Sequence, residues 1–111
     1  MDEKPLIWMG SSLEAVRAFP AMARKRVGYE LYLLEQGFDP SDWKPIPSVG
    51  PGVREIRVQA GRAFRVLYVA RFAEAVYVLH AFEKRTRKTR QADIQLAKKR
   101  LSQVMRLLHP R

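Results

Sequence analysis

Three apolar segments with very short connections constrain the fold of this chain more than any other feature. The segments are Val53–Gln59, Ala63–Ala70 and Ala75–Phe82, and each is rich in β-branched and aromatic residues, as strands are. Ala60–Arg62 and Arg71–Glu74 connect them, and both are too short for the crossover that parallel strands require. The sequence therefore predicts three consecutive antiparallel strands joined as hairpins.

The segments before these strands predict one strand and two helices. Lys4–Met9 is a short apolar run and is expected to form a strand. Ser11 and Glu14 have the spacing of a capping box, which predicts a short helix over Leu13–Phe19. A second helix is predicted over residues 20–37, with proline at its start and glycine at its end.

The rest of the chain predicts a loop and a last helix. Asp39–Gly52 holds four prolines and two glycines, a composition that indicates a loop. Gln91–Leu108 has apolar residues at helical spacing. The order is β-α-α-β-β-β-α, so we expect an α+β fold in which an antiparallel sheet packs against helices. Residues 1–111 are expected to form one domain.

The charge is positive and unevenly distributed. The chain has a formal net charge of +10, and residues 84–111 hold ten Lys and Arg against one acid, Asp93. Such a field attracts polyanions, either nucleic acid, an acidic protein or an anionic membrane. No apolar stretch reaches the roughly 18 residues of a membrane span, and the acidic start does not match a signal peptide. We therefore expect a cytoplasmic protein that does not contact membranes.

The residue inventory argues against metal and cofactor chemistry. The chain has no cysteine and two histidines, a composition that argues against a zinc site. It also lacks the glycine-rich phosphate loop and the HExxH and GxSxG motifs. We therefore expect no metal and no cofactor.

Cations inside the strands are the first candidates for a functional site. Arg65 interrupts an apolar strand, where a charge is costly unless it faces water or an anion. It either extends its stem along an exposed face of the sheet or binds phosphate. Arg54 and Arg57 leave the same two interpretations open, and strand alternation puts them on opposite faces.

Two ring side chains in the third strand are further candidates. Alternation predicts that His80 and Phe82 share a face with Val76 and Val78. His80 is either a structural residue or an acid–base group. Phe82 is either a core residue or a platform for base stacking.

A basic segment links the third strand to the last helix. Lys84–Arg90 holds five cations among seven residues. It is either a solvated run or a phosphate-binding segment, because cations, hydroxyls and helix N–H groups meet there.

These features together resemble a known family, the HigB-like, phage-derived branch of the RelE/ParE toxin–antitoxin superfamily. The matching positions are Gly61, Phe64, Arg65 and Tyr68, then Leu79, His80, Ala81, Phe82, Lys84, Thr86, Lys88 and Thr89, then Asp93, Ala97 and Arg100. Two positions depart from the family pattern, with Arg85 in place of a lysine and Arg90 in place of a proline.

The resemblance implies a RelE-like fold and a metal-independent mRNA endoribonuclease that acts with the ribosome and inhibits translation. It also implies a helix-turn-helix, HigA-like antitoxin as partner. Arg65 would stabilise the transition state, with Lys84 or His80 transferring protons. The residues that would bind RNA are Arg54, Arg57, Phe82, Arg85, Thr86 and Lys88.

Two other functions remain open on the sequence. A ParE-like toxin with the same fold would inhibit DNA gyrase without cleaving RNA. A non-catalytic basic module would bind nucleic acid without turnover, and its binding would weaken with salt as the enzyme's would.

Overall fold

The computed structural model describes residues 3–110. The elements in chain order are β1 (Leu6–Trp8), α1 (Ser12–Arg17), α2 (Ala21–Glu35), β2 (Trp43–Pro45), β3 (Val53–Ala60), β4 (Arg62–Val69), β5 (Val76–Glu83) and α3 (Gln91–Leu108). The predicted α+β class is confirmed, and the three consecutive hairpin strands are β3, β4 and β5. The predicted order needs one addition, because β2 lies within the segment predicted to be a loop.

The added strand β2 lies at the edge of the sheet. It pairs antiparallel with β3, with Trp43 opposite Ile56 and Pro45 opposite Arg54. Proline has no backbone N–H to donate to a neighbouring strand. It is tolerated at a sheet edge because an edge strand has no neighbour on its outer side. The prediction of an uninterrupted loop over residues 39–52 was therefore wrong at these three residues.

The sheet is mixed rather than wholly antiparallel. Its five strands have the order β1-β5-β4-β3-β2, and β1 runs parallel to β5 with Ile7 opposite Tyr77. Parallel neighbours need a long connection, and here the two helices and three strands between β1 and β5 supply it. The hairpin strands themselves are antiparallel, as predicted.

Helices cover both faces of the sheet. Helices α1 and α2 pack on one face, through Val16, Val27 and Leu31, in a cluster with side chains of β3, β4 and β5. Helix α3 packs on the other face, through Ala97 and Val104. The two faces are called below the α2 face and the α3 face.

A β-bulge in β5 changes which side chains share a face. Leu67 pairs with His80 and Tyr68 pairs with Val78, which leaves Leu79 as an extra residue on β5. A bulge of this kind shifts the alternation of every residue beyond it.

The bulge overturns one prediction. Val76 and Val78 pack on the α2 face, whereas Phe82 packs on the α3 face. His80 also lies on the α3 face, where it contacts Asp93 of α3. Strict alternation had placed His80 and Phe82 with Val76 and Val78, and that prediction was wrong because it did not include the extra residue.

Arg100 of α3 fixes the bulge to the first helix. Its buried guanidinium donates from Nη1 to the carbonyl of Leu79 (2.9 Å) and from Nη2 to Oγ of Ser11 (3.0 Å). Ser11 is the N-cap residue of α1, but its side chain makes no capping hydrogen bond, so the predicted capping box is not formed. Gly10 has φ +52°, and a Cβ there would lie 2.5 Å from Nε of Arg100. One arginine thus joins α3, β5 and the start of α1.

We predict that Arg100→Met destabilises the fold by about 2–3 kcal/mol, because the buried carbonyl of Leu79 loses its partner. The measurement is urea unfolding. Arg106→Met, at an exposed arginine of the same helix, is the matched control and should change the free energy of unfolding by less than about 0.5 kcal/mol. Equal losses for the two variants would contradict the role assigned to Arg100.

Candidate active site

Two neighbouring rows of side chains cross the α3 face of the sheet. In the first row Arg57 pairs with Arg65, and Arg65 pairs with Phe82. In the second row Lys44 pairs with Glu55, and Glu55 pairs with Leu67. Leu67 pairs in turn with His80. The sheet therefore brings together Arg57, Arg65, His80 and Phe82, which the sequence offered separately.

A buried carboxylate lies at the centre of these cations. Glu55 is 1% exposed, and its Oε1 lies 3.6 Å from Nζ of Lys44 and 3.8 Å from Nε of Arg65. Both of its oxygens lack a hydrogen-bond partner among residues 3–110, and so does Nε of Arg65. A buried carboxylate usually accepts hydrogen bonds, so this one is held by ion pairs and retains lone pairs for a further donor.

Glu55 was not among the residues selected from the sequence. The signal was an acid at an inward-facing position of an apolar strand, between two arginines. A buried charge of that kind requires a partner of opposite sign. Arg65 of β4 and Lys44 of β2 are those partners, one from each neighbouring strand.

Lys84 lies directly after β5 at the same end of the site. Its backbone N–H donates to the carbonyl of Ala63 (2.8 Å), which extends the pairing of β4 and β5 by one residue. Burial lowers the pKa of Lys84, and the charge of Arg65 lowers it further, while Glu55 opposes the shift. Burial is also the main cause of a lowered pKa at Arg65. Repulsion between these cations makes an anion the favoured occupant of the space between them.

His80 is held beneath this surface. Its Nε2 lies 2.7 Å from Oδ1 of Asp93, and its ring stacks on Phe82 with 5.2 Å between centroids. The other ring nitrogen, Nδ1, is buried and has no partner among residues 3–110. This geometry makes His80 a link between α3 and the ring of Phe82.

Arg54 lies apart from the other candidates. It pairs with Tyr68, which belongs to the α2 face, and its guanidinium stacks on Trp43 at 3.9 Å. It also forms an ion pair of 3.2 Å with Asp39. Burial raises the pKa of Tyr68 to about 12, so the phenol beside Arg54 stays protonated.

The basic segment Lys84–Arg90, called the basic link below, is largely exposed and adjoins the site through Lys84. Arg85 forms an ion pair with Glu83 (3.2 Å), and the hydroxyl of Thr86 donates to the carbonyl of Lys88. At the far end of the link, Nε of Arg90 lies 3.2 Å from Oδ2 of Asp93. Asp93 thus contacts both the link and His80.

The comparison with family models decides which family the chain belongs to. The model described as Phage derived protein Gp49-like (DUF891) matches residues 14–102. The chain belongs to this Gp49-like family. The family is one of the RelE/HigB-like toxins and is associated with toxin–antitoxin pairs, so the resemblance drawn from the sequence is confirmed at the family level.

Membership of the Gp49-like family implies an antitoxin partner. A comparison with curated proteins finds no match to the chain. Within residues 3–110, no helix has the length and apolar character needed to cross a membrane.

We predict that Glu55→Gln lowers the pKa of Lys84 further, because the carboxylate that favours the ammonium form is removed. The measurement is an NMR titration of the lysine side-chain carbons. Glu74→Gln, at an exposed acid in the β4–β5 turn, serves as the control and should leave that pKa unchanged. A Lys84 titration that is the same in wild type and Glu55→Gln would show that the two groups do not interact.

Proposed function

We propose that this Gp49-like protein is the toxin of a type II toxin–antitoxin pair and cleaves mRNA on the ribosome without a metal ion. The observation that carries the proposal is the group of Lys44, Arg57, Arg65 and Lys84 around the buried carboxylate of Glu55. Burial lowers the pKa values of two of these cations, Arg65 and Lys84. Perturbed groups gathered at one surface are typical of a functional site, and the positive charge suits an anionic substrate.

The reaction that suits these groups uses the RNA's own 2′-hydroxyl. Its oxygen attacks the adjacent phosphorus, the bond from phosphorus to the 5′-oxygen breaks, and a 2′,3′-cyclic phosphate forms. Negative charge grows on the phosphoryl oxygens and on the departing 5′-oxygen. Fixed cations aimed at that charge lower the barrier most, because they need not reorganise during the reaction.

Arg65 is the residue assigned to the developing charge. Its ion pair with Glu55 and its position between Arg57 and Phe82 hold its guanidinium on the α3 face. The side chain also donates from Nη1 to the carbonyl of Phe64 (3.0 Å). A group restrained from two sides retains its position when the substrate arrives, which is the condition for electrostatic catalysis.

Lys84 is the residue assigned to proton transfer. In its neutral form the amine accepts the proton of the 2′-hydroxyl, and the departing 5′-oxygen takes a proton from water. A lowered pKa increases the neutral fraction at a given pH, which general base catalysis requires. His80 is assigned a positioning role instead, since Asp93 and Phe82 enclose its ring.

RNA binding is assigned to the residues around this centre. Arg57 and Lys44 lie beside the reacting phosphate, while Arg85, Thr86 and Lys88 of the link would contact phosphates further along the strand. Phe82 is 8% exposed, which leaves little of its ring for a base. Arg54 lies on the α2 face and is not assigned to the RNA. The antitoxin that the family implies is proposed to be a helix-turn-helix protein.

We predict that Arg65→Ala slows mRNA cleavage by about 100- to 1,000-fold, because a preorganised cation at the transition state is lost. The measurement is primer extension on mRNA translated in a purified system. Arg62→Ala is the matched control, since Arg62 lies three residues earlier in β4 and on the other face. Its rate should stay within about threefold of wild type.

Two outcomes would contradict this proposal. Equal rates for Arg65→Ala and Arg62→Ala would remove Arg65 from the reaction. Absence of cleavage by the wild type, together with inhibition of DNA supercoiling by gyrase, would favour a ParE-like toxin instead.

A further inference from the structure

The outward side of α2 carries large apolar side chains that the core does not use. Met22, Tyr29 and Tyr32 are 62%, 57% and 53% exposed. They lie on one side of the helix because their spacings of seven and three residues follow its turns. The opposite side is already packed against the sheet, through Ala23, Val27, Leu31 and Leu34. Apolar area beyond what packing needs is typical of an interaction surface.

A groove runs between this side of α2 and strand β3. Its volume is about 500 Å³. The apolar lining comes from Met22, Tyr29 and Val58, and the volume is large enough to hold an aliphatic or aromatic side chain. We call it the α2–β3 groove.

Cations border the α2–β3 groove. Lys25, Arg26 and Arg57 line it, and Glu30 is the acid in its lining. Both carboxylate oxygens of Glu30 accept hydrogen bonds from Ser41, one from its backbone N–H and one from its hydroxyl. Lys25 forms no ion pair within residues 3–110. Arg57 forms an ion pair of 3.8 Å with Asp42. Among the described residues, the positive charge that the groove offers without an ion pair therefore comes from Lys25 and Arg26.

We propose that the α2–β3 groove binds an acidic, amphipathic segment of a partner protein. Apolar side chains of that segment fill the slot between Met22, Tyr29 and Val58, and its carboxylates pair with Lys25 and Arg26. The identity of the partner as the antitoxin rests on the proposed function, whereas the chemistry of the segment rests on the groove.

Charge and shape favour this occupant over two others. A second copy of this chain would bring like charges together, since its net charge is +10. RNA would bring negative charge to the groove but would bury little of the apolar slot. A peptide with both carboxylates and apolar side chains matches both parts of the groove.

Arg57 connects this groove with the candidate active site. It lines the groove and is also the cross-strand neighbour of Arg65. Its charge contributes to the lowered pKa values of Arg65 and Lys84. Carboxylates bound in the groove would lie beside Arg57 and would reduce the positive potential at the reacting phosphate, so the segment would inhibit cleavage from outside the site.

Calorimetric titration with the purified cognate antitoxin tests the proposal. Met22→Ser and Lys25→Glu should each weaken binding by about 30-fold, because they remove a buried apolar contact and reverse a paired charge. The matched controls are Leu107→Ser, at a residue of α3 that is 64% exposed, and Lys98→Glu on the same helix. Both controls should bind within about threefold of wild type.

Cleavage assays separate this proposal from the proposed function. Free Met22→Ser should cleave mRNA at the wild-type rate, since Met22 carries no charge and is not assigned to the catalytic machinery. If the groove variants bind antitoxin as tightly as wild type does, or if wild type does not bind it, the groove is not the docking site, whatever the cleavage assay shows. If wild type binds through the groove but cleaves no RNA, the proposed function is wrong and the groove proposal stands.

Two further outcomes would overturn the assigned occupant. In the first, analytical ultracentrifugation shows that the wild type is a dimer and that Met22→Ser is a monomer. That result would assign the groove to a second copy of this chain. In the second, Lys25→Glu weakens RNA binding as much as it weakens antitoxin binding. That result would assign the groove to RNA. A monomer whose RNA binding is unchanged in Lys25→Glu is the result expected.

Discussion

The anchoring of α3 to the bulge in β5 is the interaction on which the rest of the structure depends. Arg100 binds the carbonyl of Leu79, the extra residue of the bulge, and Asp93 binds the ring of His80, the residue that follows. The bulge brings His80 and Phe82 to the face that carries Arg65. Without the bulge, strand alternation would direct Phe82 to the α2 face. The row of Arg57 and Arg65 would then end at a side chain other than Phe82. A local irregularity, satisfied by one helix, thus determines the composition of the candidate active site.

Burial of Glu55 determines which ligand charge the candidate active site favours. A carboxylate that is 1% exposed is costly unless cations surround it, and the surrounding cations are held in turn by the carboxylate. Because the cations outnumber this acid, the surface remains positive and favours an anion. Arg57 extends the same positive surface to the part of β3 that lines the α2–β3 groove. The proposed catalysis and the proposed inhibition are therefore coupled through charge, and the coupling requires no change of conformation.

Much of this fold follows from local sequence patterns, and the parts that do not follow have physical causes. Helix α3 has the predicted bounds, because its apolar spacing and the polar link before it are both local signals. Strand β2 was not predicted, since its pairing depends on Arg54 and Ile56 of β3 rather than on its own proline-containing sequence. The bulge was not predicted either, because the contacts that stabilise it come from a helix that is remote in sequence. For the site, strand alternation correctly separated Arg54 from Arg57, but only the pairing of β2, β3 and β4 shows that Lys44 and Arg65 meet at Glu55.

The most direct test of the central claim is the chemistry of the RNA ends after cleavage. In the proposed reaction the 2′-oxygen displaces the 5′-oxygen, so the upstream fragment should end in a 2′,3′-cyclic phosphate and the downstream fragment should begin with a 5′-hydroxyl. Ligation and mass spectrometry of fragments made by the wild-type protein would identify these ends. Fragments with a 3′-hydroxyl and a 5′-phosphate would contradict the account, because water rather than the 2′-hydroxyl would then be the nucleophile.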